Sequence, residues 1–198
     1  MSSDRAIRPL VIVAAFAASL AVGLLVMMWL VGGFRGGAST ASVGGPFRLT
    51  DQTGQVITEK NLQGRPTLIF FGFTHCPDVC PTSLFEMSEV LRAMGKDASR
   101  VNAYFISVDP ERDTPEAMKN YLSSFDPNLK GLTGSPDAVA SVLAAYRVYA
   151  KKVPLKDGDY TMDHTALIYL MDRDGKFVAP FNLKQAPEQA ASDLKRYL

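Results

Sequence analysis

The run PTLIFFGF, Pro66–Phe73, limits the architecture more than any other part of the chain. A short apolar and aromatic run without polar alternation marks a strand covered on both faces, and such strands belong to sheets with a layer above and a layer below. The flanking sequence supplies the layers. Leu84, Met87, Val90, Leu91 and Met94 recur at helical spacing and stop at Gly95. VNAYFISVD predicts a second central strand. Thr114-Pro115-Glu116 and Ser135-Pro136-Asp137 each combine a capping hydroxyl, a proline at the first helical position and an acid in the first turn, so two further helices start there. FRLTDQTGQVIT predicts an opening hairpin turning at Thr53-Gly54. HTALIYLM and KFVAPF predict a late hairpin turning at Asp172–Gly175, and Pro187–Leu198 a last helix. This order is that of a thioredoxin-like α/β domain with parallel central strands and an N-terminal hairpin extension.

Ahead of that domain, LVIVAAFAASLAVGLLVMMWLV, Leu10–Val31, carries no charge. About 20 apolar residues span a hydrocarbon core of about 30 Å, so residues 10–31 are expected to form a transmembrane helix. Arg5 and Arg8 precede it and Arg35 follows, which places the tail of residues 1–9 in the cytoplasm and the rest outside. A cleaved signal peptide ending near Ser39-Thr40-Ala41 is the alternative, but the run exceeds the usual signal core of about 7–15 residues and Trp29 suits an interfacial anchor. GGFRGGASTASVGG, Gly32–Gly45, reads as a flexible linker. The domain of residues 46–198 has 18 basic and 19 acidic side chains and no basic run. That composition excludes a nucleic-acid-binding face.

Both cysteines and one of the two histidines fall in FTHCPDVCP, Phe73–Pro81. A helix starting at Cys76 would carry Pro81 past its first turn, at a cost of about 3 kcal/mol. The helix is therefore expected to begin at Pro81, with Cys80 near the N-cap and Cys76 in the loop, both sulfurs at the positive end of a helix dipole that favours thiolate. A structural disulfide across three residues would close too small a loop to add much stability. A sulfur pair at the mouth of a parallel sheet reads more as chemistry than as a staple. His164, in DYTMDHTALIYL, is expected at the start of a strand, and in a thioredoxin-like fold the loop before the late hairpin lies against the cysteines. Two thiolates and an imidazole suit Cu(I) and tolerate Cu(II). Zinc would take a fourth ligand from Asp78, Asp163 or water.

GFTHCPDVCP, VDPERDTPEAM, LTGS, YRVY and DYTMDHT, in this order behind an N-terminal anchor, strongly resemble the Sco/SenC copper chaperones of cytochrome c oxidase assembly. The resemblance runs through nearly all of Phe47–Phe181. It implies copper, as Cu(I) and Cu(II), bound by Cys76, Cys80 and His164, and delivery of copper or reducing equivalents to the binuclear copper site of cytochrome c oxidase subunit II. A second copper chaperone as donor and a thioredoxin-like reductant are the further partners expected.

Around these ligands, Asp78 is expected to shape the loop or tune thiolate basicity, Asp109 to end a strand at the functional edge, and Asp163 to orient His164. His75 should point away from Cys76 and tune rather than bind. Met162 is a candidate auxiliary contact, and Met87 and Met94 are core. Two rival classes remain. In a thiol-disulfide oxidoreductase, Cys76 and Cys80 would be the redox pair, although such pairs are usually separated by two residues. A peroxidase of the peroxiredoxin kind places a threonine three positions before its cysteine, whereas Thr74 is two before Cys76. MSSDRAIR lacks the Arg- and Ser-rich character of a transit peptide, so the expected location is a bacterial cytoplasmic membrane, single-pass, with the domain in the periplasm. The chain should remain with membranes through alkaline carbonate extraction, its domain open to protease from the periplasmic side. Recovery of a soluble protein beginning near Ser42 would establish the signal-peptide alternative instead.

Overall fold

The computed structural model describes residues 15–28, 43–156 and 158–198. The chain separates into two units, Met1–Ala41 and Ser42–Leu198. In the first, residues 15–28 form a helix, α1, with every residue exposed. The rest of the expected span, residues 10–14 and 29–31, lies outside the described residues, as does the linker through residue 42. Among the described residues no helix is long and apolar enough to cross a membrane. The expected linker of residues 32–45 ends on the domain itself: Gly44 N donates to the Ala145 carbonyl at 2.9 Å. Gly44 has a φ of +105°, and a Cβ there would stand 3.3 Å from Met171 Cε, so conformation and space both call for glycine.

The second unit runs in the order β1 (Arg48–Asp51), β2 (Val56–Thr58), β3 (Thr67–Gly72), α2 (Val79–Met94), β4 (Asn102–Ser107), α3 (Pro115–Leu122), β5 (Leu129–Thr133), α4 (Pro136–Ala145), β6 (Ala150–Pro154), β7 (Tyr160–His164), β8 (Ile168–Met171), β9 (Phe177–Pro180) and α5 (Pro187–Lys195). Seven strands form one sheet in the order β2-β1-β5-β4-β3-β8-β9, while β6 and β7 form a separate pair. β3, β4 and β5 are parallel, and β1 and β8 flank them antiparallel. Every residue of β3 is buried. Phe70 stacks on Phe105 on one face, and Phe71 meets Tyr146 and Tyr169 on the other. Double-sided burial is what the unalternated apolar run demands. Thr114 and Ser135 cap α3 and α4 by accepting from Ala117 N and Ala138 N, each ahead of its proline.

Three expectations need correction. α2 begins at Val79 rather than Pro81, with Asp78 at its N-cap. Pro81 is then the third helical residue, and since the first-turn N–H groups have no intrahelical acceptor, proline costs nothing there. β5 was not expected, because LKGLT carries a lysine and a glycine. Gly131 is nonetheless needed, since a Cβ there would lie 2.8 Å from Leu122 Cδ1 and Met118 Cε of α3. The β6–β7 hairpin was also unexpected, and it changes the address of His164, which ends β7 instead of opening the strand that becomes β8.

The register pairs Gly72 of β3 with Ser107 of β4, and Val108 N continues the ladder to the Gly72 carbonyl at 2.8 Å. Two loops, Phe73–Asp78 and Val108–Thr114, therefore leave the sheet side by side. That is the C-terminal edge of parallel strands, where open α/β sheets gather their functional groups.

Candidate metal centre

Asp113 anchors the cysteine loop. Its carboxylate is fully buried and accepts hydrogen bonds from Thr74 N at 3.2 Å, Thr74 Oγ1 at 2.6 Å and Ser107 Oγ at 2.6 Å. These tie the residues just before Cys76 to the end of β4. Burial raises the Asp113 carboxyl above the usual range, with the hydrogen bonds from Ser107 and Thr74 opposing that rise. Downstream, Cys76 N closes a turn onto the Phe73 carbonyl at 3.3 Å.

The two sulfurs differ in setting. Cys76 is half-buried and Cys80 fully buried, both as free thiols. Cys80 N donates to Cys76 Sγ at 3.4 Å, a geometry that the first turn of α2 creates. Cys80 Sγ packs against the glycine side of β3, where a Cβ on residue 72 would come within 2.7 Å of that sulfur and 2.7 Å of the Phe105 ring. Gly72 thus makes room for the thiol. Burial, and then the neighbouring Cys76 and Asp113, push the Cys80 thiol well above its ordinary value, outweighing a backbone hydrogen bond at Phe73. The expectation of two helix-activated thiolates is corrected for Cys80: without a metal, burial favours its thiol.

His164 reaches the same place from the other side. Its Nε2 lies 3.8 Å from Cys80 Sγ, and its Nδ1 lies 3.0 Å from the Thr165 carbonyl. A carbonyl only accepts, so Nδ1 carries the proton and Nε2 offers its lone pair toward the sulfur. The ring is wedged edge-on against Phe73, at 5.8 Å and 88°, and beside Phe70 at 6.4 Å. Asp163 is exposed, and the acceptor role expected of it falls to the Thr165 carbonyl. Asp78 is exposed and makes no side-chain cap bond. His75 is exposed, with Nδ1 3.0 Å from Thr74 Oγ1. Met162 is half-buried against the core, and Met87 and Met94 are in it. Asp109 is buried, accepting from Arg112 Nε at 2.5 Å and Tyr160 Oη at 2.9 Å. Among the described residues no three His, Cys, Asp or Glu side chains already stand in metal-binding geometry.

Asp113, Ser107, Gly72, Phe73, Arg112 and Tyr160 all shape this site and none was singled out by sequence reasoning. Asp113 and Arg112 lie in an acidic and basic helix-start segment that reads as solvated, and Thr74, the partner of Asp113, is 39 residues away. The segment's place inside the VDPERDTPEAM motif and beside a predicted strand end was the signal that could have found it.

A thioredoxin-like sheet with a dithiol at a helix start and an imidazole brought to the inner sulfur defines a soft-metal or redox protein. The SCO1/SenC family description matches residues 35–198, and the chain belongs to that family. It is 46% identical over 143 residues to protein SCO1 homolog 1, mitochondrial, of Arabidopsis thaliana, covering 71% of this chain and 42% of the relative. The chain thus spans less than half the length of that relative. The structure of Bradyrhizobium japonicum ScoI with copper bound is 77% identical, with a TM-score of 0.78, covering 79% of this chain and all of the other. BsSco, described as a member of the Sco family of cytochrome c oxidase assembly proteins with a disulfide switch, is 25% identical with a TM-score of 0.61, covering 78% and 91%.

The raised Cys80 thiol fixes a pH dependence. A thiol whose folded pKa exceeds its unfolded one contributes stability that is complete below the unfolded value, here 9.0, and that is lost as pH rises through the folded value. Chemical denaturation of the reduced, metal-free protein should show stability falling above pH 9.0. In Cys80→Ser that part of the fall should vanish.

Proposed function

We propose that this protein is a membrane-anchored copper-binding metallochaperone for assembly of the binuclear copper centre of cytochrome c oxidase subunit II. Cys76, Cys80 and His164 hold the copper, and copper is the cargo. The observation that carries the reading is the 3.8 Å approach of His164 Nε2 to Cys80 Sγ with Nδ1 already engaged. With metal–sulfur and metal–nitrogen bonds of about 2.3 and 2.0 Å, that separation subtends about 120° at an ion between the two atoms. A three-coordinate soft cation suits such a pair, with Cys76, whose Sγ stands 3.4 Å from Cys80 N, turning in as the third donor. Zinc would need a fourth ligand beyond these three, and Asp78 and Asp163 are both exposed.

The chain's own residues do the following. Asp113 and Thr74 hold the loop, Gly72 admits the inner sulfur, and Thr165 keeps the imidazole lone pair free. Loading requires the Cys80 proton to leave, and water is largely kept from that sulfur by β3 and Phe105. Anchoring through residues 10–31, with the domain on the periplasmic side of a bacterial cytoplasmic membrane, would keep this site near a membrane oxidase. Another copper chaperone as donor and a thioredoxin-like reductant complete the expected circuit. The half-exposure of Cys76 favours a second reading, in which the dithiol passes two electrons and two protons to the disulfide of the oxidase subunit's copper-ligand cysteines and closes to its own disulfide.

The reduced full chain in detergent should take up one Cu(I) with release of protons, and the disulfide form should bind poorly. Cys76→Ser or Cys80→Ser should weaken Cu(I) binding by several orders of magnitude, on the order of the loss of one of two thiolates. His164→Ala should damage Cu(II) binding more than Cu(I), read by X-ray absorption and electronic spectra. Equal binding by the disulfide form would remove this site.

In cells, loss of the protein should abolish copper-dependent oxidase activity at low copper, with recovery when copper is added. Recovery with thiol reductant but not with copper would select the second reading.

A further inference from the structure

The β6–β7 hairpin that ends in His164 belongs to no other sheet, so something besides strand pairing must hold it against the domain. Besides the packing of Ala150 and Met162 against the core, three side chains do so, with Asp159 just before β7 also 3.3 Å from Arg112 Nη1. Tyr160, the first residue of β7, donates its hydroxyl to Asp109 Oδ1 at 2.9 Å. Arg112 donates Nε to Asp109 Oδ2 at 2.5 Å and Nη1 to the Tyr160 carbonyl at 3.0 Å. Its guanidinium also lies 3.8 Å over the Tyr160 ring and 5.9 Å from the Phe73 ring. Phe73 in turn meets His164 edge-on. Lys152 of β6 adds an outer contact, 4.2 Å over the same tyrosine and 2.7 Å from Glu111.

This arrangement is more than surface pairing. The Asp109 side chain is 1% exposed and that of Arg112 17%, so the pair is desolvated and its loss is felt. A planar guanidinium that binds a carboxylate and a carbonyl while stacked on an aromatic face cannot be replaced by a lysine point charge. Asp109 and Arg112 leave β4 at the edge where Thr74 and Asp113 fix the cysteine loop. The same segment, Asp109–Asp113, therefore grips the cysteine loop with one residue and the histidine hairpin with two others.

We propose that Asp109, Arg112 and Tyr160 form a clamp that positions His164, holding the β6–β7 hairpin so that its imidazole stands at the Cys80 sulfur. The clamp touches no copper. It decides whether the third donor is in place, and it rests on the reading of His164 as a ligand. Breaking it should turn a three-donor site into a two-sulfur one, sparing Cu(I), which tolerates two thiolates, and penalising Cu(II), which wants nitrogen and a higher coordination number.

The test uses the full chain in detergent, with Arg112→Gln and the gentler Tyr160→Phe, which keeps the ring and removes one hydroxyl. Without copper, amide hydrogen exchange in residues 150–154 and 160–164 should speed up by about tenfold in Arg112→Gln and by less in Tyr160→Phe, while β3 and α2 stay protected. With Cu(II), the imidazole nitrogen coupling in pulsed paramagnetic resonance should weaken and affinity should fall by about tenfold; Cu(I) affinity should hold. In a His164→Ala background, Arg112→Gln should cost nothing further. Unchanged hairpin exchange in both variants, or an equal Cu(II) loss with and without His164, would overturn the clamp while leaving His164 a ligand. Cu(II) binding indifferent to His164→Ala itself would overturn the ligand reading and the clamp's purpose together.

Discussion

Strand β3 is buried on both faces along its whole length, and the rest of the domain is arranged around that burial. A fully enclosed strand needs partners on either side, which β4 and β8 supply, and an aromatic layer on each face. Its chain can then leave only at the end, beside the end of β4. The cysteine loop and the acidic loop after β4 are forced into contact there, and a buried carboxylate becomes affordable because three hydrogen-bond donors converge on it. The buried charge of Asp113 is stabilised by local donors, with no cation among its hydrogen-bond partners. Such a carboxylate is sensitive to the loss of any one of those donors.

The candidate metal centre is built from competing terms. The helix start of α2 offers the Cys80 backbone N–H to Cys76 Sγ and a positive dipole end to both sulfurs. Burial opposes this at Cys80 and prevails there, since desolvating a full charge costs more than a partial dipole at one end of a helix returns. A cation brought to that sulfur supplies the missing counter-charge directly. A buried thiol of this kind is reserved for a strong electrophile such as a soft metal ion, whereas the half-exposed Cys76 meets solvent.

Much of this was legible in the sequence. Unalternated strands, proline-capped helices and hairpin turns leave local signatures, and β3, β4, α3, α4 and the β8–β9 hairpin follow them. The start of α2 was placed two residues late because proline reads as a first helical residue, although any first-turn position accepts it. β5 and the β6–β7 hairpin were illegible for a different reason. Gly131 in β5 is dictated by Met118 and Leu122 of a helix that only the fold brings near, and the Lys-rich β6 is exposed along much of its length. The cysteines and His164 stood out because thiol and imidazole are so scarce in this chain. Asp113, Arg112 and Tyr160 did not, because the contacts that give them meaning, to Thr74 and between Tyr160 and the Asp109–Arg112 pair, are distant in sequence and their types are common on surfaces.

The acceptor that orients His164 is the carbonyl of Thr165, a main-chain atom. Every amino acid carries that carbonyl, so side-chain replacement at position 165 does not delete it, whereas an aspartate in the same role could be lost in a single mutation. The acceptor atom itself is thereby insulated from substitution at position 165. Vulnerability moves to the path of the backbone, which the pairing of Thr165 N with the Tyr149 carbonyl at 3.0 Å helps to fix. The acceptor survives a change of residue identity at 165, although Thr165 Oγ1 also accepts from Tyr149 N at 3.1 Å, and it is fragile to insertions or deletions that shift the chain, a pattern that should leave the length of this connection less variable than its composition.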